Sequence, residues 1–297
     1  MIILNEKKFA EDVIETGNLG ASPVASLYRV AKYYGSKGLK KNEVVEKVLE
    51  LLRAGATPEQ YQKYEIAVGK MASKAYKDKP SEVESIEITE NEIEKIKALP
   101  NTNLMRLAFT LLCLAKYHTA VKPESGGWVS EPDSDIFTLA NVGVTRYERG
   151  LLYNDLMTAG LIEFPKSVSS SSVRVAFADG NENGVLHIVD VRNLGYQFSS
   201  FIGRGTYARC AVCGLLIPVQ RGKKWVGLMY CHEHKEKRRP KTRVTHCPDC
   251  GVMHVVPVDS RTDRCPTCNE VFRREKLKAD HAKLKEIRVK NADLTIA

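Results

Sequence analysis

Apolar residues recur every three or four positions through most of the first 160 residues, and this period predicts amphipathic helices. Between residues 21 and 79 the period stops at glycines, which divides the stretch into three helices. Three helices joined by short turns predict a small helical bundle over residues 1–80. The predicted inner faces are Val24, Leu27, Val30, Ala31 and Tyr34, then Val44, Val45, Val48, Leu51 and Leu52, and finally Tyr64, Ala67, Val68, Met71 and Ala75.

This bundle has the order helix, KGLKKNEVVEKVLELL, and then a helix that ends in the basic segment ASKAYK. On these segments it resembles the small helical module found near the C-terminus of some mobile-element DNA primases. In outline the whole chain also resembles uncharacterised proteins of phages and mobile elements of Gram-positive bacteria. The resemblance implies a setting in such an element, inside the host cytoplasm, and it names no activity.

Residues 86–200 combine helices with short strands. The pattern predicts a helix over 88–100 that starts with a capping box at Thr89 and Glu92, a long buried helix over 101–118 and a short one over 134–142. Thr145 and Glu148 form a second capping box, and Gly160 ends the helix that follows. The predicted inner face of that helix is Leu151, Leu152, Leu156 and Met157.

Alternating apolar residues then predict strands at 161–164, 173–178 and 185–191. A helix, a short helix, a helix and a β-hairpin follow one another in winged helix-turn-helix domains, in which one helix enters the major groove of DNA. On this hypothesis Arg146, Tyr147, Arg149, Tyr153 and Asn154 would face DNA, with Lys166 and Ser169–Ser172 in the wing. Winged helices also bind proteins, and this region is not net basic, so a protein contact stays open.

Seven of the eight cysteines lie between residues 210 and 268. Cys113 stands alone in an apolar helical run, where a thiol is usually a core residue. The N-terminal stretch MIILNEKKFAED lacks the long apolar segment of a signal peptide, so neither a secretory signal nor a disulfide framework is expected. A redox Cys-x-x-Cys pair would follow a strand in a βαβ unit, and no such unit surrounds these pairs.

The segments CPDCGV and CPTCNEV have the form of zinc knuckles, in which a tight turn directs two thiolates at one ion. We therefore assign Cys247, Cys250, Cys265 and Cys268 to one Zn²⁺ in a zinc ribbon over residues 241–272. Four ligands leave no open position for water, so the predicted site is structural rather than catalytic.

A second set precedes it in RCAVCGLLIPVQRGKKWVGLMYCHEHK. Cys210, Cys213, Cys231 and His234 predict a second Zn²⁺ site, in a module over residues 205–240. His232 is the alternative fourth ligand, although its spacing from Cys231 is shorter than a knuckle normally has. The spacer suggests a hairpin whose turn lies at residues 221–223.

The formal charge of +9 is unevenly distributed. Residues 201–297 hold 21 Lys and Arg against 10 Asp and Glu, a net of +11, whereas residues 1–200 hold 24 against 26, a net of −2. Such an excess suggests a polyanion at the C-terminal end, with nucleic acid expected before a membrane surface. A basic tail that serves solubility alone is the competing interpretation.

The basic residues adjoin the predicted metal sites, where they would contact phosphates. A basic helix is predicted over residues 273–297, and it would either contact phosphate or dock through Leu277, Leu284 and Ile287 as a solvated amphipathic helix. With Arg146, Arg149 and Asn154, the predicted nucleic-acid contacts are Arg221, Lys223, Lys224, Lys237, Arg238, Arg239, Lys241, Arg243, Arg273 and Arg274.

The chain lacks the sequence motifs of several enzyme classes. There is no GxxxxGK[ST] phosphate loop and no G-x-S-x-G. The segment between Cys213 and Cys231 also lacks the His, usually preceded by Asp, that HNH nucleases need there. The apolar run 104–117 is too short to span a bilayer and contains Arg106 and Lys116. We therefore expect a cytoplasmic protein that is not an enzyme and does not enter a membrane.

The sequence thus predicts a mainly α, multidomain protein with a helical bundle, a winged helix-turn-helix of the α+β class and two small zinc modules. The expected function is binding of nucleic acid, DNA before RNA, in replication or transcription control of a phage or mobile element. Two alternatives stay open. The zinc ribbons would dock onto a polymerase, a primase or another protein, or distant segments would assemble an enzyme site such as that of a nuclease.

Overall fold

The N-terminal bundle has four helices rather than the three predicted. The computed structural model describes residues 2–20, 22–165, 172–180, 184–219, 229–232, 234–235, 242–257, 260 and 262–293, with only the backbone at 242, 257 and 284–293. The additional helix comes first, and its buried positions include Glu6, so its apolar stripe is too short to give a strong period. The four helices are α1 (Glu6–Thr16), α2 (Pro23–Ser36), α3 (Lys41–Gly55) and α4 (Pro58–Ala75).

The bundle has its own core, which separates it from the apolar cluster of the next region. The predicted stripes are largely correct for α2 and α3, where Leu27, Val48 and Leu52 are fully buried. On α4 the prediction is correct for Val68 and Ala75 and wrong at Ala67, which is exposed, whereas Ala72 is buried. Both are small residues on a helix with many polar positions, so the period alone does not distinguish them.

The ends of α2 and α4 meet through their backbones at Gly35. A Cβ atom at this position would lie 1.9 Å from the carbonyl oxygen of Tyr76, so only glycine permits the approach. The four-residue connection between α2 and α3 brings the start of α3 to the same end of the bundle. The last turns of α2 and α4 and the first turn of α3 therefore share one end.

The central region is built around one long helix whose middle is buried on nearly every side. Two of the helices around it begin at the predicted capping boxes, Thr89 with Glu92 and Thr145 with Glu148, and both boxes are confirmed. The helices of this region are α5 (Glu90–Lys97), α6 (Thr102–Val121), α7 (Asp133–Leu139), α8 (Arg146–Thr158) and α9 (Leu194–Phe201), with a 3-10 turn at Pro123–Ser125.

Two small antiparallel sheets cover this helix. One has the strand order β2-β4-β3, so that the strand before α7 pairs with the second strand after α8. The other pairs β1 with β5 across about a hundred residues of chain. The sequence pattern missed β1 and α9, because each is short. The strands are β1 (Ile86–Ile88), β2 (Trp128–Val129), β3 (Ile162–Glu163), β4 (Val173–Val175) and β5 (Leu186–Ile188).

The buried face of α8 differs from the predicted one. Leu152 and Leu156 are buried as expected, but Leu151 and Met157 are exposed, so that part of the prediction was wrong. Tyr153, expected on the DNA-facing side, is buried instead: its ring packs edge-on against Phe137 and its hydroxyl donates to Asp133 at 3.2 Å. The large ring fills space beside α7 that neither Leu151 nor Met157 reaches.

Lys116, near the C-terminal end of α6, forms a buried ion pair with Glu92. The ammonium group lies 2.8 Å from the carboxylate of Glu92 and donates to the carbonyl oxygen of Glu87 at 2.7 Å. Glu92 also accepts the backbone N–H groups of Thr89 and Asp179. These hydrogen bonds compensate for the desolvation of both charges and join α5 to the end of α6.

Contacts divide the chain into two compact units, Met1–Met229 and Tyr230–Ala297. The first contains the hairpin of β6 (Tyr207–Arg209) and β7 (Leu216–Pro218). The second contains the hairpin of β8 (Thr242–His246) and β9 (Met253–Pro257), and the helix α10 (Pro266–Asp293). In the described ranges, no helix combines the length and the apolar character needed to cross a bilayer.

Candidate metal centres

The two hairpins carry the same turn. In the first, the N–H of Cys210 donates to Leu215 O at 2.8 Å and the N–H of Gly214 donates to Cys210 O at 2.9 Å. In the second, Cys247 and Gly251 repeat these bonds at 3.0 and 2.9 Å. Both glycines have positive φ, near +70°, as the knuckle predicted from Cys-x-x-Cys-Gly requires.

The other two ligands of each set come from a helical turn rather than from a second knuckle. Cys265 and Cys268 lie at the start of α10, where Asn269 N donates to Cys265 O at 2.9 Å. Lys235 N donates in the same i to i−4 manner to Cys231 O. In the 241–272 module the second Cys-x-x-Cys pair therefore lies on a helical turn instead of the tight knuckle turn expected from CPTCNEV, because Pro266 and the residues after it favour a helix.

The structure brings eight ligand side chains into two groups of four. In each group the candidate ligand atoms lie within 4.8 Å of one another. His232, the alternative ligand, is exposed and lies outside the group that contains His234. The groups are Cys210, Cys213, Cys231 and His234, and Cys247, Cys250, Cys265 and Cys268.

The spacing within the groups fits a tetrahedral ion. Zn–S bonds of about 2.3 Å imply neighbouring sulfurs about 3.8 Å apart, and the Sγ atoms of Cys250 and Cys265 are separated by 3.7 Å. In the other group, Cys231 Sγ lies 3.2 Å from His234 Nδ1. Each group could therefore hold one metal ion, and three or four thiolates with at most one imidazole are the ligands of structural zinc.

The electrostatics of the four-cysteine group favour a bound cation. Burial disfavours a thiolate at Cys247, but the backbone N–H groups of Cys265, Cys250 and Asp249 outweigh it and lower the pKa of this thiol to about 6. The neighbouring Cys265 side chain has the opposite effect at Cys268, whose pKa is raised. A second negative charge is thus unfavourable until a cation lies between the sulfurs.

The first hairpin is anchored to the central region by three polar side chains that sequence patterns did not identify. Arg106 of α6 donates to the hydroxyl of Tyr207 at 3.1 Å, and it also bonds Ser199 at 2.8 Å. Asn193 donates to Leu216 O at 2.8 Å. Arg192, held by both carboxylate oxygens of Asp190, donates to Cys213 O at 3.1 Å. No motif marks these residues, since their partners are distant in sequence.

The second hairpin is joined to the loop before α10 by two ion pairs. Arg243 lies 2.6 Å from Asp263, and Arg264 lies 2.7 Å from Asp249. The guanidinium of Arg264 also lies 3.9 Å above the ring of Phe272. One face of this hairpin is exposed and apolar, with Val244 opposite Val255 and Met253 next to them.

The predicted nucleic-acid contacts lie in different environments. Arg146 and Asn154 are exposed on α8, whereas Arg149 is half-buried with its guanidinium 5.0 Å above the Phe137 ring. Arg243 pairs with Asp263, Arg274 pairs with Glu270, and Arg273 is exposed on α10. The remaining predicted contacts, and most of the proposed wing, lie outside the described residues: Arg221, Lys223, Lys224, Lys237, Arg238, Arg239, Lys241, Lys166 and Ser169–Ser171.

The residues given no metal role lie apart from both groups. Cys113 is fully buried in the core of the central region, and burial raises the pKa of its thiol. His118 pairs with Glu131 at 2.6 Å, and His187 pairs with Glu87. Searches with family models, among curated proteins and among solved structures found no match to this chain.

Proposed function

We propose that this chain is a zinc-stabilised nucleic-acid-binding protein that acts in replication or transcription control of a phage or mobile element, and that it is not an enzyme. The observation that carries the proposal is the coincidence of two four-ligand groups with the third of the chain that holds the excess positive charge. Metal-locked turns would present lysines and arginines to phosphates, DNA before RNA. Both sites would be closed by four ligands and hence structural.

We include a winged helix in this proposal. Its support is the sheet order β2-β4-β3 around α7 and α8, which is the strand pairing of that fold. With Tyr153 buried and Arg149 stacked on Phe137, the DNA-facing surface of α8 would consist of Arg146, Tyr147 and Asn154. This surface carries little charge, so we assign it to register along the nucleic acid and assign affinity to the metal modules.

The test combines metal analysis with binding of the full chain to duplex and single-stranded DNA across a salt series. We expect two zinc ions per chain and a steep salt dependence. The double variant Arg238→Glu/Arg239→Glu should reduce the slope of log K against log salt by about 2 on duplex DNA, whereas Lys97→Glu/Lys122→Glu should not change it. Two zinc ions without binding at low salt would refute the function and leave the metal sites intact.

A second candidate function is an adaptor that docks onto a polymerase, a primase or another protein. The observation that favours it is the exposed apolar face of the β8–β9 hairpin, where Val244, Met253 and Val255 are each more than half exposed. Such a face fits an apolar protein surface better than it fits phosphates. Binding to a purified replication protein, with little salt dependence and with loss on Val244→Ser/Val255→Ser, would support the adaptor.

A further inference from the structure

The N-terminal bundle concentrates lysines at one end. This basic end comprises the last turn of α2, the last two turns of α4, the first two turns of α3, and residues 37–40 and 76–79, which the Gly35–Tyr76 contact holds together. It holds eight exposed lysines against three acidic residues, Glu43, Glu46 and Asp78. The lysines are Lys37, Lys40, Lys41, Lys47, Lys70, Lys74, Lys77 and Lys79.

Three of the other four lysines of the bundle have a counter-charge, which the eight lysines of the basic end lack in the described structure. Lys7, Lys8 and Lys32 each pair with a glutamate. Within the described residues, none of the eight lysines at the basic end forms an ion pair, since no carboxylate oxygen lies within 4.0 Å of their ammonium groups. Eight lysines against three carboxylates leave a net charge of +5 at this end, which attracts a polyanion.

Two of these charges oppose the dipole of their own helix. Lys40 precedes α3 at its N-cap position and Lys41 is its first residue, where the N-terminal end of a helix is itself positive. In the described structure the first turn of α3 has one acidic residue, Glu43, whose carboxylate accepts the N–H of Lys40 at 2.7 Å. A phosphate at this end would relieve the unfavourable placement, because it would neutralise both the lysines and the helix end.

Aromatic rings lie among the lysines. Lys37, Lys47 and Lys77 lie 5.2, 5.8 and 5.9 Å above the rings of Tyr33, Tyr34 and Tyr76. The three rings are half-buried, which keeps them rigid and leaves part of each ring at the surface. Lysines that move to phosphates would uncover ring faces on which nucleobases can stack.

We propose that the basic end of the bundle is a binding surface for single-stranded nucleic acid, separate from the metal modules. Its lysines neutralise phosphates, and Tyr33, Tyr34 and Tyr76 stack bases. An anionic membrane is disfavoured as the partner because the apolar parts of this surface are half-buried rings rather than projecting side chains that could enter the lipid. The surface goes beyond the proposed function, since neither zinc nor the C-terminal charges take part in it.

The test uses the full chain and two matched double variants. Lys37→Gln/Lys77→Gln removes two charges over tyrosines at the basic end, and Arg53→Gln/Lys63→Gln removes two charges over Tyr61 and Tyr64 at the opposite end. With a labelled single-stranded DNA, the first variant should flatten the slope of log K against log salt by about 1.4 and the second should leave it unchanged. The unfolding transition of both should match that of the wild type.

Cross-linking gives an independent readout. A bromouracil-substituted single strand should cross-link on irradiation to peptides that contain Tyr33, Tyr34 or Tyr76. Equal slopes for the two double variants, or cross-links that avoid these peptides, would overturn the proposal. If the Lys37→Gln/Lys77→Gln variant binds phosphatidylserine vesicles more weakly and binds DNA unchanged, the partner of this surface is an anionic membrane and not nucleic acid.

The binding surface at the basic end and the function proposed for the metal modules can be refuted independently of each other. In the background Arg238→Glu/Arg239→Glu, the effect of Lys37→Gln/Lys77→Gln on single-stranded DNA should persist. If Arg238→Glu/Arg239→Glu leaves DNA binding unchanged and Lys37→Gln/Lys77→Gln weakens it, the function assigned to the metal modules is refuted and the binding surface at the basic end is supported. The reverse result removes the basic end and retains the metal modules.

Discussion

The β6–β7 and β8–β9 hairpins share a turn and differ in what supports them. The first receives hydrogen bonds from Arg106, Arg192 and Asn193, all in the central region. The second has cross-strand pairs, two ion pairs and an exposed apolar face. The same Cys-x-x-Cys-Gly turn therefore occurs once in a hairpin that is bonded to a large core and once in a module that has little core of its own. In the second case the metal must supply much of the folding free energy.

Metal removal should have the largest effect and should separate the hairpins. Structural zinc contributes about 10 kcal/mol or more to small modules, so chelation should unfold β8–β9. The amides of β6–β7 should stay protected because the anchors from Arg106 on α6 and from Arg192 and Asn193 just before α9 persist. Hydrogen exchange before and after addition of a chelator measures both. Simultaneous loss of protection in the two hairpins would show that the anchors contribute nothing.

Arg106→Ala should make the two hairpins respond alike to metal removal. It removes hydrogen bonds to Ser199 and Tyr207 and the stacking on Tyr196, and we expect the free energy of unfolding of the first unit to fall by about 2–4 kcal/mol. In this variant, chelation should release the β6–β7 amides too. Arg204→Ala is the control, since Arg204 is exposed and bonds only Thr102 and Met105 in the described structure. A similar loss for both variants would contradict the assignment.

Asn193 tests one of the three anchors. The residue has φ near +52°, so Asn193→Gly keeps the backbone and removes both the bond to Leu216 O and the bond that Asn193 accepts from Asn141, at an expected cost of about 2 kcal/mol. Asn193→Ala should cost about 1 kcal/mol more, because alanine is strained in the left-handed region. Denaturant unfolding measures both variants. Equal values for glycine and alanine would mean that the backbone relaxes.

The smallest expected change in stability is for a substitution at Val255. Because its side chain is exposed, Val255→Thr should change the free energy of unfolding of the zinc-loaded second unit by less than about 0.5 kcal/mol. Its neighbour Val256 is buried, and Val256→Ala should cost about 1.5 kcal/mol. Thermal unfolding of the loaded protein compares the two. A large loss for Val255→Thr would mean that this face is covered within the protein.

Sequence patterns predicted the parts of the fold that depend on neighbouring residues. The capping boxes at Thr89 and Thr145, the knuckle glycines and the choice of His234 over His232 all follow from spacing within a few positions. The helix at Cys265 was missed, although Pro266 signals it, because the repeated Cys-x-x-Cys suggested a second hairpin turn. Three-residue β1 has too few positions for a period to be recognised.

By itself, the sequence determined where the ligands, helix starts and excess charges lie along the chain, because these depend on residue type and short spacing. Only the tertiary structure decided that Tyr153 is buried instead of Leu151 and Met157, that Ile86 pairs with Ile188, and that Arg106 and Arg192 hold a metal-site hairpin. Each of these outcomes depends on which distant segment fills a space or completes a hydrogen bond. Packing between elements determines these burial and pairing patterns, and the hydrophobic period within a single element does not predict them.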